Sequence, residues 1–121
     1  MAGFIPAPIK PEITMDHLEK IDIRVGAIER VERVPASSKL VKLTVDFGDR
    51  RRTVLAGLRA ERANPQAEIE GRQALFVVNL PARWLAGEIS EAMLFDIGYA
   101  DGLTPMLAIP EKPLPNGARA G

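Results

Sequence analysis

At 121 residues, with 46% hydrophobic content, the chain has the size of one globular domain and enough apolar matter to close a single core. Its 16 basic and 16 acidic residues cancel, which excludes a global cationic field and leaves only a local patch for any polyanion. The absence of cysteine removes disulfides, thiolate nucleophiles and sulfur-ligated metals, and suits a reducing compartment such as the cytoplasm.

Residues 1–13 read as an extended N-terminal arm, because Pro6, Pro8 and Pro11 break the apolar stretch Phe4 to Ile9 and favour neither a helix nor a central strand. The arm lacks a basic leader region and any run long enough to cross a bilayer, so membrane insertion is not expected. Residues 14–121 form the folded domain. Thr14 suits an N-cap for a short helix from Met15 to Lys20, with Ile13 placed to pack on Leu18.

From Ile21 the period changes. Ile21, Ile23 and Val25 alternate with Asp22 and Arg24, and after Gly26 the phase slips to Ile28 and Val31, which predicts a long strand bent at the glycine. Val41, Leu43, Val45 and Phe47 alternate with Lys42, Thr44 and Asp46; with the turn Gly48-Asp49 and a second strand from Arg51 to Leu55, they predict a hairpin. The polar stretch Arg59 to Gly71 has room for one short helix around Asn64-Pro65. Gln73 to Leu80, continuously apolar, predicts a strand buried on both faces, and Ala92 to Ile97 a further strand. The proline-rich tail Pro110 to Gly117 predicts ordered loop and short strand. Five or so short strands with one mid-chain helix fit an all-β, five-stranded Greek-key barrel of the OB type better than a sandwich.

Catalytic chemistry finds no footing. His17 is the only histidine, there is no cysteine to pair with it, and no Ser-His-Asp set stands out, so no catalytic residue and no metal ligand is assigned. Gly48, Gly57 and Gly71 are scattered and form no phosphate cradle, so no nucleotide cofactor is expected.

Charge is unevenly placed. Between Lys39 and Arg62, seven basic residues (Lys39, Lys42, Arg50, Arg51, Arg52, Arg59, Arg62) stand against Asp46, Asp49 and Glu61. Arg50, Arg51 and Arg52, beside the hairpin turn, are positioned to reach phosphates, and equally to keep a sheet edge soluble. After Arg83 the balance turns acidic, with Glu88, Glu91, Asp96, Asp101 and Glu111 against Lys112 and Arg119. The segment from Asn79 to Gly87 turns at Pro81 and sets Arg83 beside Trp84, the sole tryptophan, on what reads as a loop. An aromatic next to a cation stacks a base or grips a peptide; a packing or dimer role for Trp84 is the other reading.

Several segments together resemble the tRNA-binding domain of stand-alone structure-specific tRNA-binding proteins, of the C-terminal extension of bacterial methionyl-tRNA synthetase and of the synthetase-associated cytokine precursors. They are Ile21-Asp22-Ile23-Arg24-Val25-Gly26, Pro35-Ala36-Ser37-Ser38-Lys39-Leu40, Val45-Asp46-Phe47-Gly48, Gly57-Leu58, Val77-Val78-Asn79-Leu80, Arg83, Ser90-Glu91-Ala92-Met93 and Pro110-Glu111-Lys112-Pro113. The resemblance runs from about Met15 to Gly117 and implies an OB barrel with a short N-terminal helix and a C-terminal extension that forms a dimer interface. Asn79-Leu80-Pro81-Ala82-Arg83, Ala86-Gly87, Ser90-Glu91 and Pro115-Asn116-Gly117 look like the CsaA secretion chaperones, whereas Ser38-Lys39-Leu40 and Ala56-Gly57-Leu58 look like the tRNA-binding members.

By position, Lys39, Asn79, Arg83, Ser90 and Met93 match the family's signature surface, although the alternation of Met93 with Phe95 and Ile97 favours core. Lys39, Asn79, Arg83 and Ser90, with Lys42, Arg50, Arg51, Arg52 and Trp84, make up the expected RNA-binding set. The implied function is non-catalytic tRNA binding by a homodimer, with the arm and the stretch Leu103 to Leu114 as the expected interface. The alternative is a CsaA-type export chaperone that binds unfolded polypeptides or meets the export machinery.

Overall fold

The computed structural model describes residues 3–59 and 62–121. Glu61, one of the acidic residues counted in the basic segment, lies outside the described residues, as do positions 1, 2 and 60.

Thr14 caps helix α1 (Met15–Leu18), its hydroxyl accepting from the His17 N–H at 3.3 Å. The helix is shorter than expected and buries nothing: every described residue up to Lys20 is exposed, including Ile13 and Leu18. The chain then enters β1 (Ile23–Arg33), which pairs antiparallel with β4 (Gln73–Val77) through its first half and with β2 (Val41–Asp46) through its second. One strand thus serves both sides of a barrel.

The register slips between Ile28 and Arg30, so the bulge falls at Glu29 and not at Gly26. Gly26 has a different reason to be glycine. A Cβ there would sit 2.8 Å from the Phe47 ring and 3.1 Å from that of Phe76, whose rings meet edge to face at 5.4 Å. Close packing across the core, rather than a bend, requires the bare backbone.

The hairpin of β2 and β3 (Arg51–Ala56) forms as the alternation predicts, with Val41, Leu43, Val45 and Phe47 all buried. Asn64 caps α2 (Pro65–Ile69) by accepting from the Ala67 N–H at 3.1 Å, and Pro65 takes the first turn, where no N–H is needed. Ile69 is fully buried and joins Ile28, Leu43, Leu58 and Phe76 in the core.

Two expected strands and one expected loop are redrawn. β4 ends at Val77, and Asn79 and Leu80 lie exposed beyond it, so the apolar run was too long a guide to its length. The stretch Arg83 to Ser90 is not a loop but a second hairpin, β5 (Arg83–Leu85) with β6 (Glu88–Ser90), turned at Ala86 and Gly87 with positive φ at both. Ala92 to Ile97 divides into β7 (Met93–Leu94), on the edge of β4, and β8 (Asp96–Ile97), which pairs with β9 (Met106–Leu107) beyond a single 3₁₀ turn.

The tail is ordered loop through Gly117. It is fastened by Gln73, whose amide exchanges hydrogen bonds with the Leu114 backbone, and its strand, β10 (Arg119–Ala120), comes later than expected and pairs with β1.

The main sheet runs β3-β2-β1-β4-β7, an all-β, nearly closed antiparallel barrel of OB type. The remaining gap, between β3 and β7, is bridged by the segment before β7. Glu91 N–H donates to Thr53 O at 2.8 Å, while the Glu91 carboxylate and the Ser90 hydroxyl accept from Thr53 and Leu55 N–H at 2.8 and 3.0 Å. Side-chain oxygens here stand in for strand carbonyls.

Candidate nucleic-acid interface

The β2–β3 turn is tightened by Asp46, whose carboxylate accepts from the Gly48 N–H at 2.7 Å. Beyond it the strand's period of two separates the arginines. Arg52 shares the inward row of Val54 and Ala56, so its side chain emerges at the mouth of the barrel, donating to Val78 O at 3.0 Å. Arg51 points the other way and is held by both carboxylate oxygens of Glu29 on the bulge. Arg50, exposed, sits loosely 3.7 Å from Asp49.

Arg24 lies in the same inward row of β1 as Gly26 and Ile28, one layer above the core, and so also reaches the mouth. Asp22 fixes it with two hydrogen bonds, of 2.9 and 3.1 Å. These bonds hold the Asp22 carboxyl below its ordinary 3.8, against partial burial, and raise the pKa of Arg24. Hydrogen bonding to Glu29 does the same for Arg51. Arg24, Arg50, Arg52, Asn79 and the two aspartates line a cleft of about 290 Å³. Sequence reasoning gave Arg24 no role; the signal was its parity with Gly26 and Ile28 on one strand.

Next to this mouth stands the β5–β6 hairpin. Lys42 ties it to β2 through an ion pair with Glu88 at 3.2 Å. Trp84, paired across the hairpin with Ile89, is 73% exposed, and Arg83 is exposed with no ion-pair partner among the described residues. Under the hairpin, Leu55, Leu80, Pro81, Ala92 and Met93 line an apolar cleft of about 270 Å³, with Arg83 and Ser90 beside them. Met93, Phe95 and Ile97 do share a face, as their spacing implied. That face is the exposed one, and the buried residue is Leu94.

The expected residues therefore part company. Arg50 and Arg52 line the cleft at the mouth with Arg24, Arg83 lines the apolar cleft beside it, and Trp84 stands exposed on the opposite face of β5 from Arg83, while Arg51 and Lys42 are held in ion pairs. Ser90, at the wall of the apolar cleft, acts as an internal strut: it is 6% exposed, and its hydroxyl accepts from Leu55 N–H and donates to Ala92 O at 3.0 Å. Asn79 is likewise committed, donating to Lys20 O and accepting from the Asp22 N–H, so that it pins the entry to β1. Lys39 is exposed but precedes β2, a strand's length of about 20 Å from the turn at its other end.

Among the described residues no group of three His, Cys, Asp or Glu is placed to hold a metal, and no helix is long and apolar enough to cross a membrane.

Residues 23–119 match the family model described as "Putative tRNA binding domain". Among solved structures, the chain is similar to a MetRS-related protein from Pyrococcus horikoshii at 32% identity and a TM-score of 0.83, covering 93% of this chain and 100% of that one. It is also similar to the chaperone CsaA of Bacillus anthracis (27% identity, TM-score 0.79, covering 92% and 100%). The CsaA chaperone of Picrophilus torridus is similar as well (28%, 0.76, covering 91% and 100%).

Proposed function

The chain belongs to the tRNA-binding domain family, and from that premise we propose that it is a non-catalytic, structure-specific tRNA-binding protein that acts as a homodimer in the cytoplasm. The observation that carries this reading is the convergence of Arg24, Arg50 and Arg52 at the barrel mouth, with Arg83 and Trp84 exposed on the β5–β6 hairpin, in a chain of zero net charge. Guanidinium forks neutralise phosphates and orient them, and an aromatic edge nearby takes a base or sugar.

Binding of this kind releases counterions. With three to four arginines engaged, the slope of log affinity against log salt is about −3. The test is a titration with total tRNA and with duplex RNA of similar length, at low and then physiological salt. Selective binding to tRNA that weakens steeply with salt, and weakens again in the triple variant Arg50→Glu, Arg52→Glu, Arg83→Glu, supports the reading; binding indifferent to those reversals sinks it.

Two features support the homodimer. Residues 3–13 form an arm carrying Phe4, Ile5, Ile9 and Ile13, all exposed, and among the described residues it makes no hydrogen bond to the rest of its own chain. Met106, Ile109 and Leu114 of the tail are also exposed. A second copy that covers both would present two arginine mouths to one RNA, multiplying modest affinities. Sedimentation velocity of the full chain and of a chain lacking the arm tests this: the full chain should sediment as a dimer and the truncated one as a monomer.

The similarity to two CsaA chaperones and the apolar cleft under Arg83 favour a second reading, capture of unfolded polypeptide. It predicts retarded aggregation of an unfolded client with weak salt dependence. A chain that leaves client aggregation unchanged is not such a chaperone.

A further inference from the structure

Three clefts on this face are one trough. The arginine cleft at the barrel mouth shares Asp49, Arg50 and Arg52 with a broader, open depression of about 590 Å³, and that depression shares Leu80 with the apolar cleft under the β5–β6 hairpin. The path changes character along its length: the guanidinium groups of Arg24, Arg50, Arg51 and Arg52 outnumber the carboxylates of Asp22, Asp49 and Glu91 at one end, then comes Leu80, then a pocket of aliphatic side chains and the Met93 thioether with Arg83 beside it.

We propose that an unpaired stretch of RNA lies along this trough, its phosphates on the arginines and one unstacked base inserted in the apolar cleft. The inference rests on the tRNA-binding reading and names the element of the RNA that is gripped.

The size and chemistry of the clefts argue for it. The apolar cleft, about 270 Å³, is near the lower limit of small-ligand pockets, room for a single heteroaromatic ring system. A base in a helix cannot enter it, because its faces are stacked and its edges lie in grooves that side chains reach poorly; an unpaired base offers a free face. Methionine sulfur and a guanidinium plane both take an aromatic face well.

Selection among bases is weak on this account. The Ser90 hydroxyl, the one neutral polar side chain at the wall, has spent its only proton on Ala92 O and one lone pair on the Leu55 N–H, so it has no donor left to read a base edge. An extended apolar peptide fits the inner cleft alone but gains nothing from the cationic half of the trough, whereas a polynucleotide uses both halves. That charge complementarity decides for RNA.

The experiment compares, at low salt, total tRNA, a short single-stranded oligoribonucleotide, the same strand with one abasic residue scanned along it, and its duplex. An apolar proline-containing peptide serves as competitor, and wild type is compared with Leu80→Glu. Leu80 is 45% exposed, so the substitution leaves folding intact, checked by an unchanged unfolding midpoint.

The inference expects three results. The single strand competes with tRNA and the duplex does not. One abasic position weakens binding about 5- to 20-fold, the lower range for loss of one stacked base. Leu80→Glu weakens the intact strand by a similar factor and the abasic strand hardly at all.

If tRNA binds but neither the abasic position nor Leu80→Glu matters, this inference falls while the tRNA-binding reading stands. If no RNA binds at all, both fall. Peptide binding that is lost in Leu80→Glu while RNA binding is kept assigns the cleft to polypeptide and overturns the proposal.

Discussion

Replacing Ser90 with alanine separates a structural strut from a ligand contact. The Ser90 hydroxyl is buried, accepts from Leu55 N–H and donates to Ala92 O, and its neighbour Glu91 completes the bridge to β3. Removing the oxygen leaves one buried N–H and one buried carbonyl without that partner. An orphaned buried polar group costs about 1–3 kcal/mol, and since the carbonyl tolerates the loss better than the amide, about 2 kcal/mol is expected in all.

For a domain of this size that corresponds to a fall of roughly 6–12 °C in the unfolding midpoint. Calorimetry or urea unfolding reads the loss, and a tRNA titration well below the lowered midpoint reads the function. The expected outcome is a destabilised protein whose tRNA affinity is unchanged. A Ser90→Ala protein with an intact midpoint and a tenfold weaker tRNA complex would refute the reasoning and return Ser90 to the binding face.

Gly26→Ala places a methyl 2.8 Å from the Phe47 ring and against Val45, where neither neighbour has room to yield, and should cost about 1–3 kcal/mol in urea unfolding by overpacking. Asp22→Asn removes a carboxylate whose pKa in the folded state lies below its ordinary 3.8, so its stabilisation is present above 3.8 and is lost as pH falls through the folded value; urea midpoints of wild type and variant should differ at neutral pH and converge in acid. Glu29→Gln frees the exposed Arg51 from its pair at little cost in stability, and should strengthen tRNA binding at low salt and steepen the salt slope by up to about 0.9, both read by titration across salt concentrations.

Elements whose determinants lie within a few residues of one another were legible in the sequence. The Thr14 cap, the short helix at Asn64-Pro65, the alternation from Val41 to Phe47 and the Gly48-Asp49 turn each act over one turn or one strand pair, and each stands where it was expected. What stayed hidden depends on partners far along the chain. Alternation from Met93 to Ile97 told which residues share a face but not which face turns inward, because that is set by how β7 meets β4. The bracing hydrogen bonds of Ser90 and Asn79 were out of sight because their partners, Leu55 and Asp22, lie 35 and 57 residues away. The bulge at Glu29 was read too early, at Gly26, because that glycine, a real constraint on core packing, also looks like a bend.

The zero net charge of the chain conceals a division of labour among its arginines. Arg24 and Arg51 are each matched by a carboxylate that takes two hydrogen bonds, and such pairs at a partly exposed surface add little stability; their effect is to fix direction. Arg62 is likewise spent on Glu68 and on Pro105 O, and Arg59 on Ser37 O, so the cations at the far end of β2 brace loops. The long-range field of the face then comes mainly from Arg50, Arg52 and Arg83, while the acidic residues of the C-terminal third leave no second cationic surface after Arg83. A polyanion approaching a neutral protein is drawn to where the sum fails to cancel locally, and here that is the barrel mouth and the hairpin beside it.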